Sequence, residues 1–143
     1  MSEQEPNKVS EQIIGAAISV HRTLGPGLLE SAYEACLAFE LAELGRNVER
    51  QKPLPIVYRG VHLDCGYRID LLVDDLVLVE LKAVEKTEPI HSAQLLSYLR
   101  LSGRSLGLLI NFNVLLLRDG IHRVVNKLPE TPAPTPRSLR TLR

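Results

Sequence analysis

Gly66–Lys82, GYRIDLLVDDLVLVELK, is the stretch on which the fold turns. Two apolar runs, Tyr67–Val73 and Leu76–Leu81, flank Asp74-Asp75, the pattern of two antiparallel strands joined by a short turn. With a three-residue turn, Val73 pairs with Val77 and Asp70 faces Glu80. Directly opposed residues share a face, with Cβ atoms roughly 4.5–5.5 Å apart. Lys82 lies two residues beyond Glu80 and points the same way. Two carboxylates and one amine therefore converge on an otherwise apolar hairpin. That set suits Mg²⁺, a hard ion that takes one or two carboxylates, keeps several waters and leaves room for phosphate oxygens. A protonated lysine is no ligand, but it can orient an attacking water or offset charge on a phosphate in transit. Hydrolysis of a phosphodiester is the chemistry these groups share. A Glu-x-Lys strand can equally carry a solvated ion pair, and the opposed Asp70 is what sets this one apart.

The chain has 143 residues, 45% hydrophobic and 24% charged, enough for one domain with a full core. Residues 1–8 read as a flexible start, 9–128 as the folded domain, and the Pro-rich 129–143 as a disordered tail. Cys36 and Cys65 lack Cys-x-x-Cys spacing and read as buried thiols rather than a disulfide or a metal site. No charged-then-apolar leader opens the sequence and no apolar run reaches membrane-spanning length, so a cytoplasmic protein without a membrane partner is expected. Lys+Arg and Asp+Glu balance at 17 each. Neutrality argues against a large duplex-wrapping surface, yet not against a nuclease, whose metal-binding acids lower the net charge. Aromatic residues make up 4%, too few for a platform that stacks single strands.

Val9, Ile13, Ala16, Ala17, Val20 and Leu24 recur at helical spacing and stop at Gly25-Pro26-Gly27. A second helix is expected over about Leu29–Leu44. Val48–Tyr58 reads as a strand that Pro53 and Pro55 push to an edge, and Val61–Asp64 as a short strand leading into the hairpin. After Lys82 a helix over about Ile90–Leu101 joins the hairpin to Leu106–Asn111, an apolar run suited to a strand buried on both faces. That β-α-β crossover makes the two strands parallel. Val114–Leu117 and Ile121–Val125 read as one further strand pair. The fold class is α/β: a mixed sheet flanked by helices.

Glu30 falls in the first turn of the second helix, either as an ordinary acid favoured by the helix dipole or as a third carboxylate for the metal. His91, Gln94 and Tyr98 form one stripe on the later helix, from which Gln94 and Tyr98 could position substrate or Lys82. His21 reads as a structural histidine. Asn111 and Asn113 suggest no mechanism. The sequence has no Gly-x-Ser-x-Gly elbow, P-loop or His-Glu-x-x-His, so serine-hydrolase, nucleoside-triphosphatase and zinc-protease readings lack support.

GLLESAY (27–33) resembles the Gly-x-x-Glu-x-x-Tyr signature of the GxxExxY protein family, a bacterial and archaeal group in the PD-(D/E)XK nuclease superfamily. The resemblance extends from about Val9 to Asn126 through AAISVHRTLGPGLLESAY, GYRIDLLV, LVELKAVE, HSAQLLSYL and LLINFN. It implies a restriction-endonuclease-like core: a mixed four-stranded sheet flanked by helices, in order α-β-β-β-α-β, here with an extra N-terminal helix and a C-terminal β extension. It implies Asp70 and Glu80 as metal-binding acids, the Leu81 backbone carbonyl as a further ligand, Lys82 as the catalytic lysine and Glu30 as an assisting acid. Gln94-Leu95-Leu96-Ser97-Tyr98 is similar to the Gln-x-x-x-Tyr motif of recombination-type nucleases, which sits beside the active site. The implied activity is Mg²⁺-dependent nuclease action, with Mn²⁺ as a substitute, on nucleic acid and on DNA before RNA. A homodimer or partner protein would supply specificity. The rival readings are a non-catalytic interaction module of the same fold and a hydrolase of small phosphodiesters.

Overall fold

A computed structural model of the chain describes residues 4–128. In chain order the elements are α1 (Gln4–Leu24), α2 (Glu30–Glu43), β1 (Val48–Pro53), β2 (Ile56–Tyr58), β3 (Val61–Leu63), β4 (Arg68–Val73), β5 (Val77–Lys82), α3 (Pro89–Ser102), β6 (Leu106–Asn111) and β7 (Ile121–Val125). Helix α1 starts at Gln4, five residues before the expected helix start at Val9. Residues 1–3 and the Pro-rich 129–143 lie outside the described residues. Among the described residues no helix is long and apolar enough to cross a membrane.

The hairpin forms in the expected register, with Val73 opposite Val77, Leu72 opposite Leu78 and Leu71 opposite Val79. Asp74 and Asp75 both have positive φ, at 53° and 57°, and Leu76 N–H closes the turn on the Val73 carbonyl at 3.0 Å. Positive φ at both central residues matches the right-handed twist of the flanking strands. Two arginines from outside the hairpin hold this turn: Arg46 pairs with Asp74 at 2.7 Å and Arg104 with Asp75.

The main sheet has five strands in the order β1-β4-β5-β6-β7, and α3 carries the parallel crossover from β5 to β6. Strand alternation divides the core. Val77, Val79, Leu81, Leu108 and Ile110 pack under α1 and α2, whereas Leu78 and Leu109 pack under α3 with Leu95 and Leu99. All six residues of β6 are buried, as a strand covered on both faces requires. Glu80 and Lys82 follow the parity of Leu78 and so belong to the α3 side.

The sequence from Val48 to Tyr58 is two strands rather than one. Leu54 turns into the α3 core and its N–H bonds the Tyr67 carbonyl at 2.9 Å, while Pro55 has no N–H with which to continue a ladder. Beyond this break, β2 and β3 pair only with each other as a two-stranded ribbon. Val114–Leu117 is not a strand either. The His21 ring Nε2 meets the Val114 carbonyl at 2.7 Å, and a 3₁₀ turn over Leu117–Gly120 follows. There the chain passes so close to β6 that a Cβ on Gly120 would lie 2.1 Å from the Asn111 carbonyl oxygen. Strand β7 therefore joins the main sheet directly, antiparallel to β6. Both cysteines are free thiols, but Cys36 is half-buried and Cys65 exposed, since Cys65 falls in the link between ribbon and sheet.

Candidate active site

Asp70 and Glu80 meet where the β4–β5 ladder ends. Backbone pairing stops at Leu71–Val79, and beyond it side chains take the place of the missing carbonyls. The Asp70 N–H donates to Glu80 Oε1 at 3.2 Å, and the Leu81 N–H donates to Asp70 Oδ2 at 2.9 Å. On its other side β4 is irregular at the same residue. Pairing with β1 passes from Arg50–Leu71 to Lys52–Ile69 and omits Gln51 and Asp70. Ile69 packs on the α3 side with Leu72, and Leu71 on the opposite side, so strict alternation fails at Asp70. Gln51 has φ of 51°, a left-handed conformation that costs a non-glycine residue about 1–3 kcal/mol. Its amide lies between two carboxylates, donating to Glu34 Oε1 at 2.5 Å and to Asp70 Oδ1 at 3.1 Å. Both Asp70 oxygens are thereby held.

Glu80 is 7% exposed, which removes the reading of Glu80 and Lys82 as a solvated surface pair. Burial, and after it the charge of Asp70, push the Glu80 carboxyl up to about 8, while the Lys82 charge pulls the other way. Near neutral pH Glu80 therefore keeps its proton. Lys82 ends β5 half-buried and forms no ion pair among the described residues. Its backbone is fixed, because the Lys82 carbonyl accepts the Phe112 N–H at 2.9 Å. Asn111 secures the segment that follows: its Nδ2 donates to the Val84 carbonyl at 2.9 Å, and its Oδ1 accepts the N–H groups of Val84 and Asn113 at 3.1 and 3.2 Å. Asn111 thus has a structural task that its sequence context does not disclose.

From α3, Tyr98 comes within electrostatic range of the acids. Burial, then the Glu80 charge, raise the Tyr98 hydroxyl above its ordinary value, so it stays protonated. Gln94 donates its amide to the Tyr98 hydroxyl at 3.1 Å. His91 is occupied elsewhere: its Nδ1 accepts the Glu88 N–H at 3.0 Å and caps the helix.

The structure does not bring Glu30 to the pair. Glu30 is exposed at the start of α2. The helix acid connected to Asp70 is Glu34, one turn further on, 8% exposed, bonded to Gln51 and paired with Arg50 at 3.1 Å. One signal for Glu34 was present in the sequence. It lies among Tyr33, Leu37, Ala38 and Leu41 on the buried stripe of α2, and an acid on such a stripe needs partners. Nothing local marks Gln51 as left-handed. Tyr33 acts on the neighbouring loop: its hydroxyl donates to the Gly25 carbonyl at 2.6 Å and accepts the Leu28 N–H at 3.0 Å, and its ring stacks on Phe112.

Among the described residues no three His, Cys, Asp or Glu side chains gather closely enough to hold an ion. The donors are two carboxylates. That set is too small for a structural zinc site, which takes four protein ligands, and it fits Mg²⁺, which completes its octahedron with water and phosphate oxygens. Burial and the neighbouring Asp70 charge keep a proton on Glu80, and a divalent cation would offset both by supplying the missing positive charge.

Two opposed acids, one on each of two antiparallel strands, a lysine two residues past the second, and a helical crossover to a parallel strand define a restriction-endonuclease-like core. A family model of the PD-(D/E)XK nuclease superfamily matches residues 7–124, and the chain belongs to that superfamily. Its members are generally nucleases that use divalent metals. Neither the curated proteins nor the solved structures yield a match.

Proposed function

We infer that this protein is a Mg²⁺-dependent nuclease that hydrolyses phosphodiester bonds in DNA, with Mn²⁺ able to replace Mg²⁺, and that it is of the GxxExxY type. The observation that carries the reading is the buried Asp70–Glu80 pair with Lys82 beside it. Asp70, Glu80 and the Leu81 carbonyl would hold the cation. When bound, the cation polarises the phosphate and makes the attacking water more acidic. Lys82 orients that water and stabilises charge developing on the phosphate oxygens. Gln94 and Tyr98 donate to substrate oxygens at the α3 rim. Leu81 and Gln51 keep Asp70 in one orientation, and Glu34 anchors Gln51.

Titration calorimetry of Mg²⁺ and Mn²⁺ into wild type and Glu80→Ala, beside cleavage assays on linear duplex, circular duplex and single-stranded DNA and on RNA, tests this reading. Metal uptake and DNA cleavage that both need Glu80 are expected. Equal uptake by wild type and variant, or no uptake by either, would leave a non-catalytic module of the same fold.

Gln51 provides a separate check on positioning. Gln51→Gly relieves the positive φ while removing the amide between Glu34 and Asp70. Its melting temperature should stay within the equivalent of about 1 kcal/mol of wild type. DNA cleavage should fall roughly tenfold, the scale expected when a reacting group is slightly misplaced. Unchanged cleavage by this variant would remove Gln51 from the machinery.

A further inference from the structure

We propose that the β2–β3 ribbon is a DNA-docking arm that enters the major groove of a duplex beside the phosphate held at Asp70 and Glu80. This rests on the nuclease reading and adds to it a surface and a form of substrate.

The ribbon has no covering partner among the described residues. Its strands pair only with each other; Ile56 is half-buried and the other five residues are exposed. Register puts Ile56 opposite Leu63 and Tyr58 opposite Val61, and opposed residues share a face. One face is therefore wholly apolar, with Tyr58 61% and Val61 55% exposed. A two-stranded ribbon with an open apolar face is marginal in water. This one is anchored at its root by Leu54, which is buried under α3.

Its place is at the active centre. The ribbon leaves the end of β1 and returns into β4 at Arg68, two residues before Asp70. Tyr67, at its root, lies edge-on to Tyr98 with ring centroids 5.9 Å apart, and the Tyr98 hydroxyl accepts the Gln94 amide at 3.1 Å on the α3 side of the sheet. Whatever the ribbon holds therefore lies next to the bond to be cut.

Charge and size both favour a duplex. Residues 53–68 carry two arginines, Arg59 and Arg68, against one acid, Asp64, in a chain of zero net charge. Asp64 is turned onto its own loop, accepting the Gly66 N–H at 3.0 Å, while Arg59 stands at the tip. Three residue pairs extend about 10 Å. The major groove of B-form DNA is about 8.5 Å deep and admits a two-stranded ribbon, where valine and isoleucine side chains can meet thymine methyl groups and arginine can meet guanine. The major groove of A-form RNA is too deep and narrow for side chains to read, so the geometry selects DNA. A second copy is the poorer occupant. Four apolar side chains present on the order of a few hundred Å², against roughly 800 Å² per partner in a stable dimer.

The test compares wild type with Tyr58→Ser/Arg59→Ala and with Val61→Ser. Binding of a fluorescein-labelled 20-base-pair DNA duplex and of the RNA duplex of the same sequence is followed by anisotropy in Ca²⁺. Hydrolysis of bis(p-nitrophenyl) phosphate, which cannot reach the ribbon, is followed in Mg²⁺. At least tenfold weaker DNA binding by both variants is expected, with diester hydrolysis and melting temperature unchanged. Full DNA affinity in both variants overturns the arm and leaves the nuclease standing. A wild type that neither binds DNA nor hydrolyses the diester overturns the nuclease reading and the arm with it. Ribbon-dependent binding of RNA as tight as that of DNA overturns the groove assignment. Unchanged DNA binding with a shift from dimer to monomer on size-exclusion light scattering gives the apolar face to a second copy.

Discussion

Lys82→Ala is expected to keep the fold and the metal site and to cleave DNA at least a hundredfold more slowly. The amine sits at the end of a strand whose backbone is bonded to β6, so its loss moves no core residue. Its charge bears on Glu80, and no ion pair among the described residues holds it away from substrate. A single preorganised group that stabilises developing charge is worth about 10²–10³ in rate. Single-turnover cleavage at saturating DNA, with Mg²⁺ affinity measured on the same samples, separates this loss from one of metal or substrate binding. A variant that retains more than a tenth of the wild-type rate would show that Lys82 is not in the reaction.

Without metal, the protein should lose stability as pH rises from about 5 to 8. Glu80 has an ordinary value of 4.5 and a folded value of about 8. Between these the folded state keeps a proton that the unfolded chain has released, so stability falls with rising pH. The slope approaches about 1.4 kcal/mol per pH unit, and the loss is complete once pH passes the folded value. Across the window it amounts to roughly 10 °C or more in melting temperature for a domain of this size. Glu80→Gln should flatten the profile. Millimolar Mg²⁺ should flatten it too, because the ion binds the deprotonated pair. Thermal melts from pH 5 to 8.5, in EDTA and in Mg²⁺, decide the matter. A flat wild-type profile in EDTA would contradict a buried, proton-holding Glu80.

The hairpin was legible because its signals agree. Two apolar runs, two turn aspartates and a continuous apolar run after the crossover helix all point to the same hairpin and the same parallel strand, and Asp70 meets Glu80 just past the last ladder pair, Leu71–Val79. The same local logic miscarried wherever a distant contact decided the outcome. Val114–Leu117 has strand-like composition, but His21 on α1 and the close pass of Gly120 against Asn111 claim that segment. Val48–Tyr58 reads as one strand until Leu54 is seen to be buried beneath α3. Glu30 and Glu34 differ by one helical turn, and only the arrival of Gln51 from β1 shows which of them connects to Asp70. Gln51 itself was invisible, since its residue type gives no sign of a left-handed backbone.

The two ends of the hairpin differ sharply in how much insertion or deletion they could absorb over evolutionary time. The turn at Asp74-Asp75, gripped by Arg46 and Arg104, acts as a ruler: one residue more or less there slides β5 along β4 and turns Glu80 to the other face. The ribbon between Pro53 and Arg68 is outside that measurement. Paired residues can be added or removed at its tip without moving Asp70 relative to Glu80. Changes in the length or sequence of the ribbon therefore leave the register that joins Asp70 to Glu80 as it is.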